Sequence, residues 1–314
     1  QIPSIMRRIA VVSYGMSDMI IPLLRHYAHH YRQSRVTLFF MYAQDKKQEG
    51  IVDFKSRPVT NGFVPRARIA EILGPEILSY VDGAFDIEVF IYQNQKAKSL
   101  TNLRLSGQLW KRLRSYELIH VNGVGGTLWH LLPWLELKKW LLTVHDFTPH
   151  SGEAVRSGTR LLNFALGRAP QVIIQNAPDF QKIEAHHPRL AAKTALVPFG
   201  YLDIYRAFLE TSGEQGEHSD LLFFGRISKY KGLEYLLDAL EALGRQGLRP
   251  KVVIAGGGDY DFGLDRLGRL PQIKFINRYL ENGELARLIC ATRLVVCPYT
   301  DATQSGVLMT AFAL

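Results

Sequence analysis

A short basic loop at the end of a strand-like run is the segment best suited to chemistry. The run FFGRISKYKG, residues 223–232, places a glycine after an apolar stretch and then Arg226, Lys229 and Lys231 before a helix-like stretch. A guanidinium group offers a rigid fork to phosphate oxygens, and an ammonium group offers a compact charge. The segment therefore predicts an anion-binding loop, although a solvated basic loop would have the same composition.

Two further loops follow apolar runs in the same half of the chain. The run VVIAGGGD contains Gly256 and Gly257, which allow a close approach of the backbone to a ligand. The run CPYTDATQSGV leads into a helix-like stretch whose first amides, from Ser305 to Val307, would form an anion site. Because parallel strands deliver such loops to one edge of a sheet, the three loops together predict a ligand that carries a diphosphate.

Strand-like and helix-like runs alternate along the whole chain, which is typical of an α/β fold with parallel sheets. The polar segment 209–220 is the predicted linker between an N-terminal domain, residues 1–208, and a C-terminal domain, residues 221–314. The second domain ends in what is predicted to be the start of a helix at 306–314. We therefore expect that domain to be cut short. The predicted strands are 9–14, 36–42, 118–121, 141–144, 172–175, 221–225, 251–255, 273–276 and 294–298.

The composition is that of a globular protein with a basic excess. The 314 residues are 47% hydrophobic and 21% charged, which excludes disordered and fibrous classes. The net charge is +9, and the residues from Asp220 onward contribute 12 Lys and Arg against 10 Asp and Glu, so the first part carries +7. This excess predicts an anionic partner. Two cysteines, Cys290 and Cys297, suit core packing in a reducing compartment.

The ordered motifs FGRISKYKGLEYLLDAL, VVIAGGGD, IKFINRYLENGELARLI and LVVCPYTDATQSGVLMTAFAL resemble the donor domain of retaining glycosyltransferases of family four. That family has the GT-B fold, in which two Rossmann-like domains face each other across a cleft. The resemblance covers essentially all of the C-terminal part. It is looser in the N-terminal part, through YELIHVNGVGG, LLTVHDFTPHSGE and ALVPFGYLDIYRAF.

The resemblance implies a role for individual residues. It assigns Arg226 and Lys231 to the diphosphate, His145 to the sugar, and Gly15 to the glycine turn after the first strand. It implies that sugar transfer from a nucleotide diphosphate sugar proceeds with retention, with no metal, no cofactor and no enzyme nucleophile. The other donor-binding residues expected from these motifs are Gly256, Gly257, Arg278, Asp301, Gln304, Ser305, Gly306 and Val307. The acceptor-side candidates are Gly123, Asp146 and His150.

The sequence departs from the family at the last motif. Two glutamates eight positions apart are typical there, and the corresponding positions hold Ala302 and Thr310. We interpret the loop as a variant, since some relatives carry an ATQSGV-like version. A nucleotide-sugar epimerase or a phosphorylase on the same fold is an alternative, and so is a non-catalytic nucleotide-sugar-binding relative.

Several other patterns have a simpler interpretation. Asp259 and Asp261 form a D-x-D motif after the glycine turn. The run GVGG at 123–126 lacks the full dinucleotide-binding pattern. His26 and His30 are one helical turn apart. A zinc site would need further ligands near the two histidines, so a solvated or membrane-facing basic surface is favoured.

Residues 96–114 interleave six cations with apolar side chains, as expected for a domain helix with a basic face or for contact with anionic lipid. Together with the net charge of +7 in the first part, this stretch favours a lipid-linked or polyanionic carbohydrate acceptor, as in cell-surface polysaccharide or glycolipid assembly.

No apolar run approaches the length of a membrane span, and no signal peptide or nucleic-acid motif is present. We expect a cytoplasmic protein that is peripheral at the inner face of the membrane and binds no nucleic acid.

Overall fold

The structure is a computed structural model that describes residues 7–45, 50–52, 60–96, 98–147, 158–209, 218–302 and 304–314. These residues form two compact units, the first holding the described residues up to Gly200 and the second those from Tyr201 onward. His150 and most of the predicted linker lie outside the described residues.

The first unit is built on an eight-stranded sheet in the order β3-β4-β2-β1-β5-β6-β7-β8. Neighbouring strands are parallel except for β3, which pairs antiparallel with β4. The central strands are continuous apolar runs because both of their faces are covered by helices. The strands are β1 (Arg7–Ser13), β2 (Ser34–Ala43), β3 (Gly62–Phe63), β4 (Asp86–Tyr92), β5 (Leu118–Asn122), β6 (Lys139–Val144), β7 (Val172–Ile174) and β8 (Thr194–Leu196).

Helices connect these strands. Most of them are amphipathic, as α3 illustrates: Leu105, Leu109 and Leu113 are buried in the core, whereas Leu100 and Leu103 are exposed. The helices of the first unit are α1 (Ser17–His30), α2 (Arg66–Val81), α3 (Leu100–Leu113), α4 (Leu128–Leu135), α5 (Gly158–Arg168), α6 (Ala177–His186) and α7 (Pro188–Ala191).

The second unit contains a four-stranded parallel sheet in the order β11-β10-β9-β12. Side chains alternate between its faces, so that Phe223 packs with α8 on one side and Leu222 and Phe224 pack with α9 on the other. Short 3-10 helices span Asp203–Phe208, Lys229–Lys231 and Leu264–Arg269. The other elements are β9 (Ser219–Phe224), α8 (Leu233–Arg245), β10 (Val252–Ala255), β11 (Ile273–Ile276), α9 (Asn282–Cys290), β12 (Thr292–Val295) and α10 (Gly306–Ala313).

The α/β class with parallel sheets is confirmed, and the bounds of most predicted strands differ from the observed ones by one to three residues. Three differences concern the domain boundary and the candidate site. Residues Ser219 and Asp220, predicted as linker, already belong to β9. Strand β12 ends at Val295, three residues before the predicted end. The helix Asp203–Phe208, predicted in the first domain, packs against α9 and α10 of the second unit.

No helix among the described residues is both long enough and apolar enough to cross a lipid bilayer.

Candidate functional site

The predicted basic loop begins where β9 ends. The sheet pairing continues past the strand, because Gly225 N donates to Ala255 O at 3.0 Å and Ile227 N donates to Gly257 O at 3.0 Å. The loop after β9 therefore lies directly against the glycine loop after β10. The Arg226 side chain is exposed, and its Nη2 lies 3.5 Å from the Tyr230 hydroxyl.

The glycines after β10 are required by this loop-to-loop contact. A Cβ on Gly256, whose φ is 149°, would lie 1.8 Å from Gly225 O, and a Cβ on Gly258 would lie 2.2 Å from Ile227 O. Only a residue without a side chain allows these backbones to approach so closely. We expected the glycines to make room for a ligand, and at Gly256 and Gly258 the structure shows that they make room for the neighbouring loop.

Lys231 is held against two aromatic rings. Its Nζ lies 3.8 Å from the centroid of the Tyr299 ring and 5.1 Å from that of Tyr230, which is cation–π geometry. The side chain is buried, and no described residue forms a salt bridge with it. Burial, helped by the nearby Arg226, lowers the pKa of Lys231 to about 8. Lys231 is thus a poorly solvated cation beside the loop that carries Arg226.

Backbone contacts hold this arrangement together. A Cβ on Gly232, whose φ is 66°, would lie 2.1 Å from Pro298 O, and Thr300 N donates to Tyr230 O at 2.9 Å. The loop after β12 therefore lies against the loop after β9. Burial raises the pKa of Tyr299, which keeps the ring neutral under Lys231. Tyr230 and Tyr299 are site residues that the sequence analysis missed.

The third predicted loop ends at the N-terminus of α10. Ser305 caps this helix, its Oγ accepting from Leu308 N at 3.3 Å. The amides of Gly306 and Val307 precede that bond and have no partner within the helix. A Cβ on Gly225 would lie 3.0 Å from Val307 Cγ2, so the first turn of α10 touches the start of the Arg226 loop. The three loops predicted to converge do so.

The positions where the family carries glutamates are occupied very differently. Thr310 is buried, and its hydroxyl donates to Gly306 O of the same helix at 2.8 Å. Ala302 is exposed, and Asp301 and Gln304 on either side are partly buried. Thr303 lies outside the described residues. The side chain of Thr310 thus bonds inside α10.

The structure places Arg278 beside the site but in an ion pair. Its backbone packs against Gly257, where an added Cβ would lie 3.7 Å from Arg278 C. Its guanidinium donates to both carboxylate oxygens of Glu284 on α9, at 2.8 and 2.7 Å. This pairing raises the pKa of Arg278 and lowers that of Glu284.

In the first unit the glycine turn after β1 lies at the carboxyl edge of the sheet. Gly15 has a φ of 125°, and its carbonyl accepts from Ser13 Oγ at 2.6 Å. Asn122, at the end of β5, donates through Nδ2 to the same Ser13 Oγ at 2.9 Å. These buried polar side chains tie the turn to the neighbouring strand, as expected for a fixed backbone turn.

His145 follows β6 at the same edge. Its Nδ1 lies 2.7 Å from Gln175 Oε1, and because an amide oxygen only accepts, Nδ1 carries the proton and Nε2 is the acceptor nitrogen. Gln175 is itself fixed by donating through Nε2 to Met19 Sδ. Burial lowers the pKa of His145, and burial next to His145 lowers the pKa of His120 to about 4. The ring is therefore neutral at physiological pH.

Gly123, one of the acceptor-side candidates, lies against the ring of His145. A Cβ on Gly123, whose φ is 77°, would lie 3.5 Å from His145 Cδ2. Asp146 is exposed beside it. The structure therefore brings these three residues together at the carboxyl ends of two neighbouring strands, β5 and β6.

A buried carboxylate that the sequence analysis missed holds the chain after His145. Asp179 Oδ2 accepts from Phe147 N at 3.2 Å and from Asn176 Nδ2 at 3.1 Å, and Asn176 caps α6 through Asp179 N. Lys182 Nζ lies 3.8 Å from Asp179 Oδ1. The sequence N-A-P-D, an N-cap residue followed by proline and an acid, was the signal that could have revealed this support.

The remaining glycine motif has a structural explanation. A Cβ on Gly125 would lie 2.3 Å from the Tyr14 ring, and one on Gly126 would lie 2.2 Å from Gln95 O. Two of the glycines of GVGG therefore permit close packing inside the first unit.

In the D-x-D motif and in the His26/His30 pair, one side chain forms a hydrogen bond to the backbone nearby. Asp261 Oδ1 accepts from Gly263 N and Leu264 N, which starts a 3-10 helix. His30 Nδ1 bonds to His26 O. Nowhere in the described part of the chain do three His, Cys, Asp or Glu side chains group as metal ligands would. The core prediction for Cys290 is wrong, because this side chain at the end of α9 is exposed.

Comparison with known proteins agrees with this architecture. Residues 218–314 match the family model described as glycosyl transferases group 1. HepE from Anabaena, solved with UDP and glucose, is 18% identical with a TM-score of 0.52, the alignment covering 92% of this chain and 73% of that one. A UDP-forming α,α-trehalose-phosphate synthase from Burkholderia xenovorans is 15% identical with a TM-score of 0.62, covering 98% and 81%.

A third similar structure belongs to a different class of enzyme. The UDP-GlcNAc 2-epimerase from Neisseria meningitidis, bound to UDP-GlcNAc, is 10% identical with a TM-score of 0.55, covering 92% of this chain and 76% of that one. A search of curated proteins finds no match.

These comparisons establish the fold. The chain has the two-domain, Rossmann-like GT-B fold, as predicted, and its second unit carries the group 1 glycosyltransferase match.

Proposed function

We propose that this protein is a retaining glycosyltransferase that uses a UDP-sugar as its donor and requires no metal. The observation that carries the proposal is the convergence of three loops at one edge of the second sheet, within the residues that match the glycosyltransferase family model. The choice of uridine diphosphate is supported by HepE, which was solved with UDP and glucose, and by the trehalose-phosphate synthase, which is described as UDP-forming.

The main task in such a reaction is to stabilise charge on the diphosphate that leaves the sugar. Arg226 and Lys231 supply two cations, and the amides of Gly306 and Val307 supply oriented donors at the positive end of α10. Gly256 and Gly257 complete the floor of the loop cluster. These groups take the place of a metal ion, and the leaving phosphate accepts the proton of the acceptor hydroxyl, so that no enzyme nucleophile is needed.

The proposal gives His145 the role of contacting the donor sugar. With Nδ1 donating to Gln175, the Nε2 nitrogen accepts a hydrogen bond from a sugar hydroxyl. Gly15 provides the turn that lets the sugar approach the first sheet. Gly123, Asp146 and His150 are proposed for the acceptor side.

The nucleotide is held without the usual carboxylate on α10. Since the Thr310 hydroxyl is bonded to Gly306 O, ribose recognition falls to Asp301, Gln304 and Ser305 in the preceding loop. Arg278 reaches the diphosphate only if it leaves Glu284.

The acceptor is proposed to be lipid-linked, in cell-surface polysaccharide or glycolipid assembly, with the protein peripheral at the inner face of the membrane. This part of the proposal is supported by α3 and the residue after it, where Arg104, Lys111 and Arg114 are exposed together with Leu100 and Leu103. Cations beside exposed leucines suit an anionic lipid surface.

Binding of UDP to single variants tests the donor site directly. We expect UDP to raise the melting temperature of the wild type, because a ligand that binds only the folded state stabilises it. Arg226→Ala and Lys231→Ala should abolish most of this shift, whereas Lys229→Ala should retain it. Lys229 is the matched control, since it is an exposed cation of the same loop. Equal shifts in all three variants would contradict the proposed diphosphate site.

Turnover separates the proposal from its alternatives. With a UDP-sugar and a working acceptor, loss of one phosphate contact should lower the rate by roughly 10²–10³. The second candidate function is epimerisation, favoured by the similarity to a UDP-GlcNAc 2-epimerase. It predicts turnover of UDP-GlcNAc with no acceptor present. A chain that binds UDP but turns over no UDP-sugar in any assay would be a non-catalytic relative.

A further inference from the structure

An open cavity of about 320 Å³ lies in the second unit, away from the three loops. It is formed by the C-terminal end of α8, the turn that follows, and the residues just before β11. Val252 N, at the start of β10, donates to Gln272 O, so the cavity lies near the amino ends of the strands. The proposed diphosphate site lies at their carboxyl ends, and the two places are therefore separate.

Three arginines dominate the lining. Arg245, Arg249 and Arg269 all border the cavity and are exposed. Within the described part of the chain, the side chains of Arg245 and Arg249 form no hydrogen bond or ion pair, and that of Arg269 has one contact of 3.4 Å with the exposed Asp265. These guanidinium groups are therefore available to a ligand from solvent.

The single acidic residue of the lining does not neutralise them. Glu241 Oε1 accepts from Arg266 Nε at 2.8 Å, and the same guanidinium donates to Asp238 at 2.7 Å. That ion pair lowers the pKa of Glu241, so its carboxylate stays charged and is bonded to Arg266 rather than to the three lining arginines. The cavity as a whole is strongly positive.

A buried acceptor completes the site. Gln272 lines the cavity, and its Oε1 is buried without a hydrogen-bond partner among the described residues. An unsatisfied buried amide oxygen costs free energy until a donor reaches it. A molecule that combines a phosphate group with a separate hydroxyl group would engage both the arginines and this amide oxygen.

We propose that this cavity binds a soluble phosphate ester of a monosaccharide or similar polyol. The arginines hold the phosphate, for which their planar forks are suited, and the partly buried Gln272 side chain turns so that its Oε1 accepts from a hydroxyl of the same molecule. The volume is at the lower end of the range of about 300–1,000 Å³ that ligand pockets occupy, which suits a sugar phosphate better than a nucleotide sugar. The site is independent of the proposed transferase function.

Calorimetric titration of the full chain with glucose 6-phosphate tests the proposal. We expect saturable binding at millimolar or lower concentration, weaker binding of inorganic phosphate, and none of glucose. The double variant Arg245→Ala/Arg249→Ala should lose at least about tenfold in affinity, because two of the three guanidinium groups that hold the phosphate are removed. Both side chains are exposed and unpaired among the described residues, so the variant should melt at the wild-type temperature.

The controls separate this site from charge alone and from the donor site. Arg293→Ala removes an exposed arginine of β12 and should leave binding unchanged, and saturating UDP should not displace glucose 6-phosphate. The proposal is overturned by equal affinity in the double variant, by displacement with UDP, or by phosphate binding as tightly as the ester. Binding only to phosphatidylglycerol vesicles, lost in the same double variant, would identify a lipid headgroup instead and would also overturn it.

Discussion

Lys231 is the residue of the proposed diphosphate site whose charge depends most on pH. Packed on the ring of Tyr299, it has a pKa of about 8 without ligand. A bound diphosphate favours the charged form and raises that pKa. Below pH 8 the lysine is already protonated, so affinity should be flat there. Above it, the free protein loses the proton and affinity should fall, by up to roughly tenfold between about pH 8 and pH 9.

Titrating a UDP-sugar by calorimetry across this range measures the effect. A UDP-sugar is the better probe, because its diphosphate has no terminal group that titrates near neutrality. Lys231→Arg is the matched control, since arginine stays charged throughout and should give a flat profile. A wild-type affinity that does not change above pH 8 would show that the Lys231 charge takes no part in binding.

A second prediction at this scale concerns the proton on His145. The contact with Gln175 Oε1 fixes it on Nδ1, and burial keeps the ring neutral. Replacing Gln175 by Leu should release this constraint and give a mixture of tautomers. Gln175→Glu should stabilise the imidazolium and raise the pKa of His145. Ring-nitrogen chemical shifts distinguish the three states, and an unchanged tautomer in Gln175→Leu would contradict the positioning role of Gln175.

Among the elements, the glycine loop after β10 is fixed by its neighbour. Gly256→Ala would place a Cβ within 1.8 Å of Gly225 O, so one of the two loops must move. We expect a loss of about 1–3 kcal/mol in unfolding free energy, the usual cost of forced overpacking, together with weaker UDP binding. Urea unfolding measures the loss of unfolding free energy, and the thermal shift on adding UDP measures the weaker binding.

Gly268→Ala is the matched control for this change. An added Cβ there meets no atom within 4 Å, and the backbone is not in the left-handed region. Its stability should stay within about 0.5 kcal/mol of the wild type. If Gly256→Ala were equally neutral, the close packing of the two loops would be wrong.

The elements also show what the sequence could and could not predict. The strands that lead to the three loops contain short apolar runs, and their predicted bounds lie within three residues of the observed ones. Strand β4 and helix α2 were not predicted, because α2 is broken by Gly74 and Pro75 and β4 mixes charged and apolar residues. Motif order indicated Arg226, Lys231 and His145.

Support from distant residues was beyond sequence reasoning. Gln175 lies 30 residues from His145, and Tyr299 lies far along the chain from Lys231. Such pairs depend on which strands become neighbours, and one sequence does not specify that. The sequence showed only that Thr310 occupies a position where the family carries a glutamate. The structure shows that its hydroxyl donates to Gly306 O.

For the molecule as a whole, the division of charge is the feature with a functional consequence. The residues before Asp220 carry +7 of the net +9. On α3 and just after it, Arg104, Lys111 and Arg114 are exposed, whereas Arg112 donates to Glu88 Oε1 at 3.0 and 2.6 Å. Arg112 is therefore paired with an acidic residue. Among the described residues, Arg104, Lys111 and Arg114 have no such partner.

Vesicle sedimentation should detect this difference. A basic side chain near an anionic bilayer contributes about 1 kcal/mol, so replacing Arg104, Lys111 and Arg114 by Gln should weaken binding to phosphatidylglycerol vesicles by roughly 10² at low salt. Arg112→Gln is the control and should change binding little, because Glu88 already neutralises its charge. Added salt should weaken the wild type in the same way, since exposed charges are screened within a Debye length. Equal losses for Arg112→Gln and for the triple variant would mean that net charge alone attracts the protein to lipid, and α3 would then have no special part in finding the acceptor.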